Sequence, residues 1–291
     1  MSQSTQYVSV NLMGGLGNQL FQLFTTISTA KQNNMEFVFP YSTVLTTGKP
    51  RLTYWHSFLE NLLKYTTIDR VVPIETFATF HERGFAYKEI PAFSTATIRL
   101  NGYFQSYKYF NTDFDAICKT IGIREQANST ALIYRSLFEP GVHTISMHFR
   151  LGDYKPLQHI HPIMPFDYYE KALSLIVTSR MATVKRFRVL YFCEKEDNDT
   201  VNETIAKLQS IPELESVSYT KVEDTIEDYT QMLLMSCCED NIIANSSFSW
   251  WGAHFNRNEN KMVCYPNKWF GYATNHDVSD LFPPTWHKIH I

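Results

Sequence analysis

The sequence predicts an α/β protein in which helices cover both faces of a parallel sheet. Two observations carry this prediction. From residue 142 onward, short apolar runs alternate with segments of helical periodicity, as in chains that cross repeatedly between parallel strands. Near the N-terminus, an alternating run at 7–13 leads through a glycine-rich turn into a segment at 18–32 with helical spacing of its apolar residues. Both regions have the pattern of strand, turn and helix.

The N-terminal half is predicted to hold few regular elements. A strand at 36–39 follows the first helix, and a long irregular stretch rich in aromatic residues comes next. A third strand is expected at 97–104 and a second helix at 111–120.

The C-terminal half is predicted to be regular. Its strands are expected at 143–149, 187–193, 216–220, 241–244 and 261–265, and its helices at 166–182, 199–210, 224–238 and 248–257. Five strands with four crossovers form a complete Rossmann-like domain. Linker-like residues at 126–141 predict a boundary that separates an N-terminal domain, 1–135, from this C-terminal domain, 136–291.

Composition narrows the class of protein. The chain has 291 residues, of which 44% are hydrophobic and 19% charged, as in an ordinary globular protein. A net charge of −3 gives no bulk attraction to nucleic acid or to an anionic membrane, so neither is an expected partner. No apolar run reaches the ~18 residues of a membrane span, and the polar N-terminus lacks a signal pattern, so we expect a cytoplasmic protein. Oligomeric state stays open.

The five cysteines are predicted to be reduced thiols, most of them in the core. They show neither a CxxC pair nor a Cys/His zinc spacing, so no metal site is expected from them.

The glycine turn, Met13-Gly-Gly-Leu-Gly-Asn-Gln-Leu-Phe-Gln22, is a candidate anion site. Glycine tolerates positive φ and lets a ligand approach the backbone, and amides at a helix N-terminus attract anions. A dinucleotide fingerprint would need a small residue where this chain has Leu20, and a P-loop would need Gly-Lys-Ser/Thr after the glycines. Both are absent from the sequence, and the motif alone fits a turn without a ligand equally well.

A second motif, Ser146-Met-His-Phe-Arg-Leu-Gly-Asp-Tyr154, places charged residues where a core strand ends. Ligands of open α/β sheets bind at such ends. Arg150 can hold a phosphate through two parallel charge-assisted hydrogen bonds, which makes it the candidate diphosphate clamp. Asp153 is suited to orient Arg150, to bind a sugar hydroxyl or to act as a base. The alternative is a salt-bridged loop with no ligand.

A third motif, Asn241-Ile-Ile-Ala-Asn-Ser-Ser-Phe-Ser-Trp-Trp-Gly-Ala253, has the same layout. Ser246, Ser247 and Ser249, with their backbone amides, open a helix whose positive dipole faces an anion. Ordinary N-capping accounts for one serine, and the presence of three favours contact with a ligand.

Together these three motifs resemble those of the α-1,2-fucosyltransferases of glycosyltransferase family eleven. That family has a glycine motif like Gly14–Gln22, a central His-x-Arg-Arg-Gly-Asp-Tyr and a late Asn-Ser-Ser/Thr-Phe-Ser-Trp-Trp-x-Ala, in the order found here. Smaller matches at 102–106, 228–238 and 268–270 extend the likeness over nearly the whole chain. Leu151 departs from the pattern, because it stands where the family has its second arginine, and His254 and Phe255 also differ.

The resemblance implies a GT-B fold of two domains, the C-terminal one holding the nucleotide. It implies transfer of L-fucose from GDP-β-L-fucose to a glycan acceptor, with inversion and without a required metal or other cofactor. Donor binding would involve Gly14, Gly15, Gly17, Asn18, Gln19, Arg150, Asn245, Ser246, Ser247, Phe248 and Ser249. In catalysis Arg150 would stabilise the departing diphosphate, and Asp153 or His148 would accept the proton.

Several alternatives stay open at this level. Leu151 favours a different 6-deoxyhexose as donor sugar, or a non-catalytic module that binds a nucleotide sugar. His159 and His161 have a spacing that could ligate a metal, but an acceptor-facing loop at 154–166 is the favoured interpretation. A second acceptor loop is expected at 41–60.

Overall fold

The computed structural model describes residues 5–93 and 97–291. Residues 1–4 of the polar N-terminus and residues 94–96 of the predicted irregular stretch lie outside the described residues. The chain divides into two compact units, one made of Met1–Arg124 with His276–Pro283 and the other of Glu125–Asn275 with Pro284–Ile291. The sequence analysis predicts a single domain boundary, between residues 135 and 136. Both units contain parallel sheets and helices, which confirms the predicted α/β class.

The first unit is built on a parallel sheet of four strands in the order β2-β1-β6-β5. Its elements are β1 (Tyr7–Val10), α1 (Leu16–Gln32), β2 (Glu36–Phe37), the antiparallel hairpin β3 (Val44–Leu45) and β4 (Arg51–Leu52), β5 (Ala78–His81), β6 (Ile98–Asn101) and α2 (Phe114–Ile121). Helix α1 is buried along most of its length because Leu20, Phe24 and Ile27 repeat at helical spacing. The hairpin and β5 lie in the stretch that was predicted to be irregular, so that prediction was wrong there.

The second unit is built on a parallel sheet of six strands in the order β12-β11-β10-β7-β8-β9. Its elements are α3 (Ile123–Ile133), β7 (His143–His148), α4 (Phe166–Arg180), β8 (Phe187–Phe192), α5 (Asn198–Gln209), β9 (Val217–Lys221), α6 (Asp228–Ser236), β10 (Asp240–Ile242), α7 (Ser247–Phe255), β11 (Val263–Pro266) and β12 (His287–Ile289). The central strands β7 and β8 are buried on both faces, and β8 is accordingly apolar at five of its six residues.

Two features of the second unit differ from the sequence prediction. Residues 126–130, taken as linker-like, lie within helix α3, since Glu, Gln and Ala in this segment are good helix formers. The sixth strand, β12, was not predicted, because three residues are too few to show a strand period.

The five cysteines lie within the described residues without forming disulfides, and three of them are buried, as expected of core thiols. Among the helices of the described residues, none combines the length and the apolar character that crossing a bilayer requires.

Candidate functional site

The second and third motifs follow neighbouring strands of the second unit. Strands β7 and β10 pair in parallel, with Ser146 opposite Asn241 and Met147 opposite Ile242. The chain continues from β7 to β8 and β9 on one side, and from β10 to β11 and β12 on the other, so the strand order reverses between β7 and β10. In open parallel sheets such a reversal creates a crevice outside the carboxyl ends of the strands, where ligands bind. Residues 149–153 and 243–249 therefore share one edge of the sheet.

Arg150 is held by two carboxylates. Its Nη2 donates to Oδ1 of Asp153 across 2.6 Å, and its Nη1 pairs with Oε1 of Glu194. Burial acts to lower the pKa of Arg150, but the charges of Glu194 and Asp153 raise it further, and the net pKa lies above the ordinary value. The guanidinium is thus a permanent, partly desolvated cation. The predicted pair with Asp153 is present, and sequence reasoning missed Glu194.

The loop after β7 is fastened to the loop after β8 by Asp197. This carboxylate is fully buried, and its Oδ2 accepts a hydrogen bond from the Gly152 amide across 2.7 Å. Its Oδ1 lies 2.6 Å from the Nζ of Lys155. Gly152 has a φ of +21°, and a Cβ there would collide with the Glu194 carboxylate. Glycine at this position therefore leaves room for the Glu194 carboxylate.

The serines at the start of α7 have local partners. Ser246 is the N-cap, and its hydroxyl accepts a hydrogen bond from the Phe248 amide across 3.3 Å. Ser249 is buried and donates to the Ser246 carbonyl across 3.4 Å. Ser247 and Phe248 are half-buried and so have the more accessible surface in this motif. The predicted donor contacts of all four residues stay predictions.

Asn245 joins three loops of the second unit. Its Nδ2 donates to the carbonyls of Pro162, at 2.9 Å, and of Trp269, at 3.1 Å. Its own carbonyl accepts a hydrogen bond from the Tyr154 hydroxyl at 3.2 Å. Asn245 Oδ1 is buried and has no hydrogen-bond partner among the described residues. The amide nitrogen is thus committed to structure, and the amide oxygen is the atom that remains for a ligand.

Comparison with known proteins decides the family. A family model described as glycosyl transferase family 11 matches residues 1–290. The chain belongs to glycosyltransferase family 11. It is 34% identical over 193 residues to the O-antigen biosynthesis glycosyltransferase WbnK of Escherichia coli, a match that spans 64% of this chain and 59% of that relative. It is 25% identical over 307 residues to an alpha-1,2-colitosyltransferase of Escherichia coli, with 97% of this chain and 98% of the relative covered.

The fold is also similar to a solved structure. The crystal structure of POFUT1 in complex with GDP superposes with a TM-score of 0.51 at 12% identity, covering 91% of this chain and 98% of that one. The protein is accordingly a glycosyltransferase of the fucosyltransferase-like kind.

His148 of this glycosyltransferase is buried and electrically neutral near pH 7. Burial, with a smaller effect from the Arg150 charge, lowers the pKa of His148 to about 3. Its ring packs against Phe248 with a centroid separation of 5.5 Å, and its Nδ1 has no hydrogen-bond partner in the described part of the chain. A histidine with such a low pKa is a weak proton acceptor, so its predicted role as a base is less favoured than that of Asp153.

Leu151 lies in the hydrophobic core of the second unit. Its side chain is 7% exposed and belongs to the cluster that contains Phe149, Tyr169 and Ala172. The family arginine at this place is therefore replaced by a core residue, and the motif contains a single guanidinium.

The glycine turn of the first unit is stabilised by side-chain amides. Gly14 has a φ of +79°, and its carbonyl accepts from Nε2 of Gln19 at 3.0 Å. The same Nε2 donates to the Leu52 carbonyl at 2.9 Å, so Gln19 ties the β3–β4 hairpin to the turn. Asn18 accepts from Gln105 at 2.7 Å. Gly15 is the N-cap of α1 and Gly17 lies within it. Contact of these residues with a donor stays a prediction.

His161 takes part in aromatic packing. Its ring stacks on Tyr154 at 4.7 Å and lies 5.7 Å from Phe270. Within residues 5–93 and 97–291, no group of three or more His, Cys, Asp or Glu side chains is arranged to hold a metal ion.

Proposed function

We propose that the protein transfers L-fucose from GDP-β-L-fucose to a hydroxyl of a sugar acceptor, forming an α-1,2 linkage to a galactoside with inversion. The observation that carries the proposal is the place of Arg150. It follows β7 at the point of strand reversal, while the N-terminus of α7 follows the neighbouring strand β10. A cation and a helix N-terminus at one edge are suited to a diphosphate. The similarity to a structure that binds GDP agrees with this assignment.

We further propose that the two compact units are the two domains of a GT-B glycosyltransferase, and that the second is a Rossmann-like nucleotide-sugar-binding domain. Counted in chain order within that unit, β7 to β12 are strands one to six, and their spatial order is 3-2-1-4-5-6. This is the order of doubly wound domains that bind nucleotides, which supports the proposal.

The chemistry assigns one task to each group. The acceptor oxygen forms a bond to the anomeric carbon as the bond to the GDP diphosphate breaks, and Arg150 with the first amides of α7 stabilises the departing charge. Asp153 accepts the acceptor's proton, because its carboxylate lies beside the clamp and is partly exposed, whereas His148 is buried. These residues supply the charge stabilisation without a metal or other cofactor.

A donor panel tests the proposal. Purified protein is incubated with GDP-fucose, other GDP-sugars, and UDP- and dTDP-linked deoxysugars, with release of nucleotide and thermal stabilisation as the two measurements. We expect GDP and GDP-fucose to stabilise the fold by about 2.7 kcal/mol at ~100 times the dissociation constant. Stabilisation by UDP or dTDP with none by GDP would overturn the assignment. Activity should also persist in EDTA, and a loss restored by Mn²⁺ would show that a metal is required.

A second candidate is transfer of a related 6-deoxyhexose such as colitose. The observation that favours it is the match to an alpha-1,2-colitosyltransferase over nearly the full length of both chains. GDP-colitose therefore belongs in the panel, and a higher kcat/KM with it than with GDP-fucose would select this candidate.

A further inference from the structure

Glu194 has a defined position against Arg150. It follows strand β8, and one carboxylate oxygen pairs with Nη1 of Arg150 while the other lies over Gly152, where a Cβ would collide with it. The absence of a side chain at Gly152 thus makes room for this carboxylate. None of the functional roles assigned above involves Glu194.

A diphosphate and Glu194 would both bind the guanidinium of Arg150. A guanidinium binds a phosphate through one of its forks, either Nη1 with Nη2 or Nε with one Nη. Every fork therefore includes an Nη atom, and in this protein both Nη atoms of Arg150 already pair with carboxylates. A phosphate bound in a fork must share an atom with a carboxylate of like charge or replace that carboxylate.

Electrostatic repulsion disfavours an arrangement in which a phosphate and a carboxylate share an Nη atom of Arg150. Residues 150–155 and 194–197 hold four acidic side chains and three basic ones, so the two loops have a net negative charge before a diphosphate arrives. Like charges held a few ångströms apart in a partly desolvated site repel strongly. Departure of one carboxylate from Arg150 removes the closest repulsion.

Glu194 is the carboxylate that can leave. Asp153 is three residues from Arg150 in the same loop, whereas Glu194 comes from another loop and its side chain is 39% exposed. Burial raises the pKa of Glu194, Arg150 acts to lower it, and the charges of Glu196, Asp153 and Asp197 raise it again. Because the net pKa is raised, the ionised carboxylate is less stable here than in water.

We propose that Glu194 determines donor affinity by occupying the diphosphate position on Arg150, and that the donor's diphosphate displaces it. Asp153 keeps its hydrogen bond and continues to orient the guanidinium. This inference rests on the proposed function, because it takes Arg150 as the diphosphate clamp.

The test compares Glu194→Gln with Glu196→Gln by titration calorimetry with GDP. Both variants remove one negative charge from the same loop, but Glu196 is exposed and Glu194 contacts Arg150. If displacement costs as much as breaking a partly exposed ion pair, Glu194→Gln should bind GDP about fivefold more tightly than wild type. The donor KM should fall in parallel, and Glu196→Gln should change both by less than about twofold.

Glu194→Ala provides a second replacement and should also tighten GDP binding, so the test does not depend on one variant folding. If Glu194 only orients Arg150, both replacements should weaken GDP binding and raise the donor KM, which would overturn the inference. Equal effects of the Glu194 and Glu196 variants would overturn it too, because they would indicate a general charge effect. Wild-type protein that does not bind GDP would instead refute the proposed function itself.

Discussion

The hydroxyl of Tyr154 donates a hydrogen bond to the backbone carbonyl of Asn245, across 3.2 Å and between residues 91 positions apart in the sequence. The ring of this tyrosine lies 5.2 Å from the guanidinium carbon of Arg150 and stacks on His161 at 4.7 Å. Tyr154 therefore links the proposed diphosphate clamp to the residue that precedes the N-cap of α7. The two motifs form one structural unit.

Removing this hydroxyl should affect both stability and activity. Tyr154→Phe keeps the ring stacking and deletes the hydrogen bond to Asn245, so we expect a loss of about 1 kcal/mol in unfolding free energy. Tyr191→Phe is the matched control, because it deletes a hydroxyl hydrogen bond of 3.1 Å to Asn202. Urea unfolding should give similar losses for both variants, whereas kcat/KM for the donor should fall only in Tyr154→Phe. Equal activity of the two would show that this link does not matter for function.

Leu151→Arg restores the family residue and should destabilise the protein. The side chain at this position is 7% exposed within an apolar cluster, so an arginine would bury an unpaired charge. We expect a loss of at least about 3 kcal/mol in unfolding free energy, measured by urea titration. Leu151→Met, which conserves volume, should cost less than about 1.5 kcal/mol. A stable Leu151→Arg protein with tighter GDP binding would instead indicate that the side chain reaches the donor.

The strands of the second unit were largely predictable because burial on both faces leaves a simple mark on the sequence. β8 is apolar at five of its six residues and is followed by polar residues where it ends, whereas β7 has apolar side chains only at Ile145 and Met147. The hairpin of the first unit could not be found in this way. Its strands have two residues each, so neither Val44–Leu45 nor Arg51–Leu52 shows a period.

The site was predictable only where partners are close in sequence. Arg150 and Asp153 are three residues apart, and their pairing was foreseen as one alternative. Glu194 lies in the run Glu194-Lys-Glu-Asp197, which has the appearance of a solvated loop, and only the adjacency of β7 and β8 brings it to Arg150. The position of Glu194 at the end of a buried strand was the one signal that could have indicated it.

The hydrogen-bond partners of Asn245 could not be predicted from the sequence either. The sequence identified it as a binding residue, but its Nδ2 is committed to carbonyls 83 and 24 residues away. These partners depend on how three loops meet at the sheet edge, and they cannot be inferred from the residue types alone.

His148 should make the protein sensitive to mild acid. Its pKa is about 3 in the folded state, against an ordinary value of 6.5, so the unfolded chain binds one more proton between these values. The contribution of neutral His148 to the free energy of unfolding is therefore complete above pH 6.5. It is lost as the pH falls toward 3, by up to ~1.4 kcal/mol per pH unit. Urea unfolding at pH 7.5 and pH 5 should show a smaller difference for His148→Phe than for wild type. His290→Phe, at an exposed position, should leave the difference unchanged, and a His148→Phe protein with wild-type pH dependence would contradict the assignment.

Arg150 should be the residue on which turnover depends most. If it stabilises the departing diphosphate, Arg150→Ala should lose about 3 to 4 kcal/mol of transition-state stabilisation, which is ~10²-fold or more in kcat. Arg150→Lys should recover little of this loss, because an ammonium keeps the charge but cannot form the fork.

Arg188→Ala is the matched control, since Arg188 is a half-buried arginine that pairs with Glu139 at 2.8 Å near the opposite end of β8. All variants must unfold cooperatively near the wild-type midpoint, so that a folding defect is excluded. A folded Arg150→Ala protein with near-normal kcat would remove Arg150 from the mechanism, and the displacement proposed for Glu194 would fail with it.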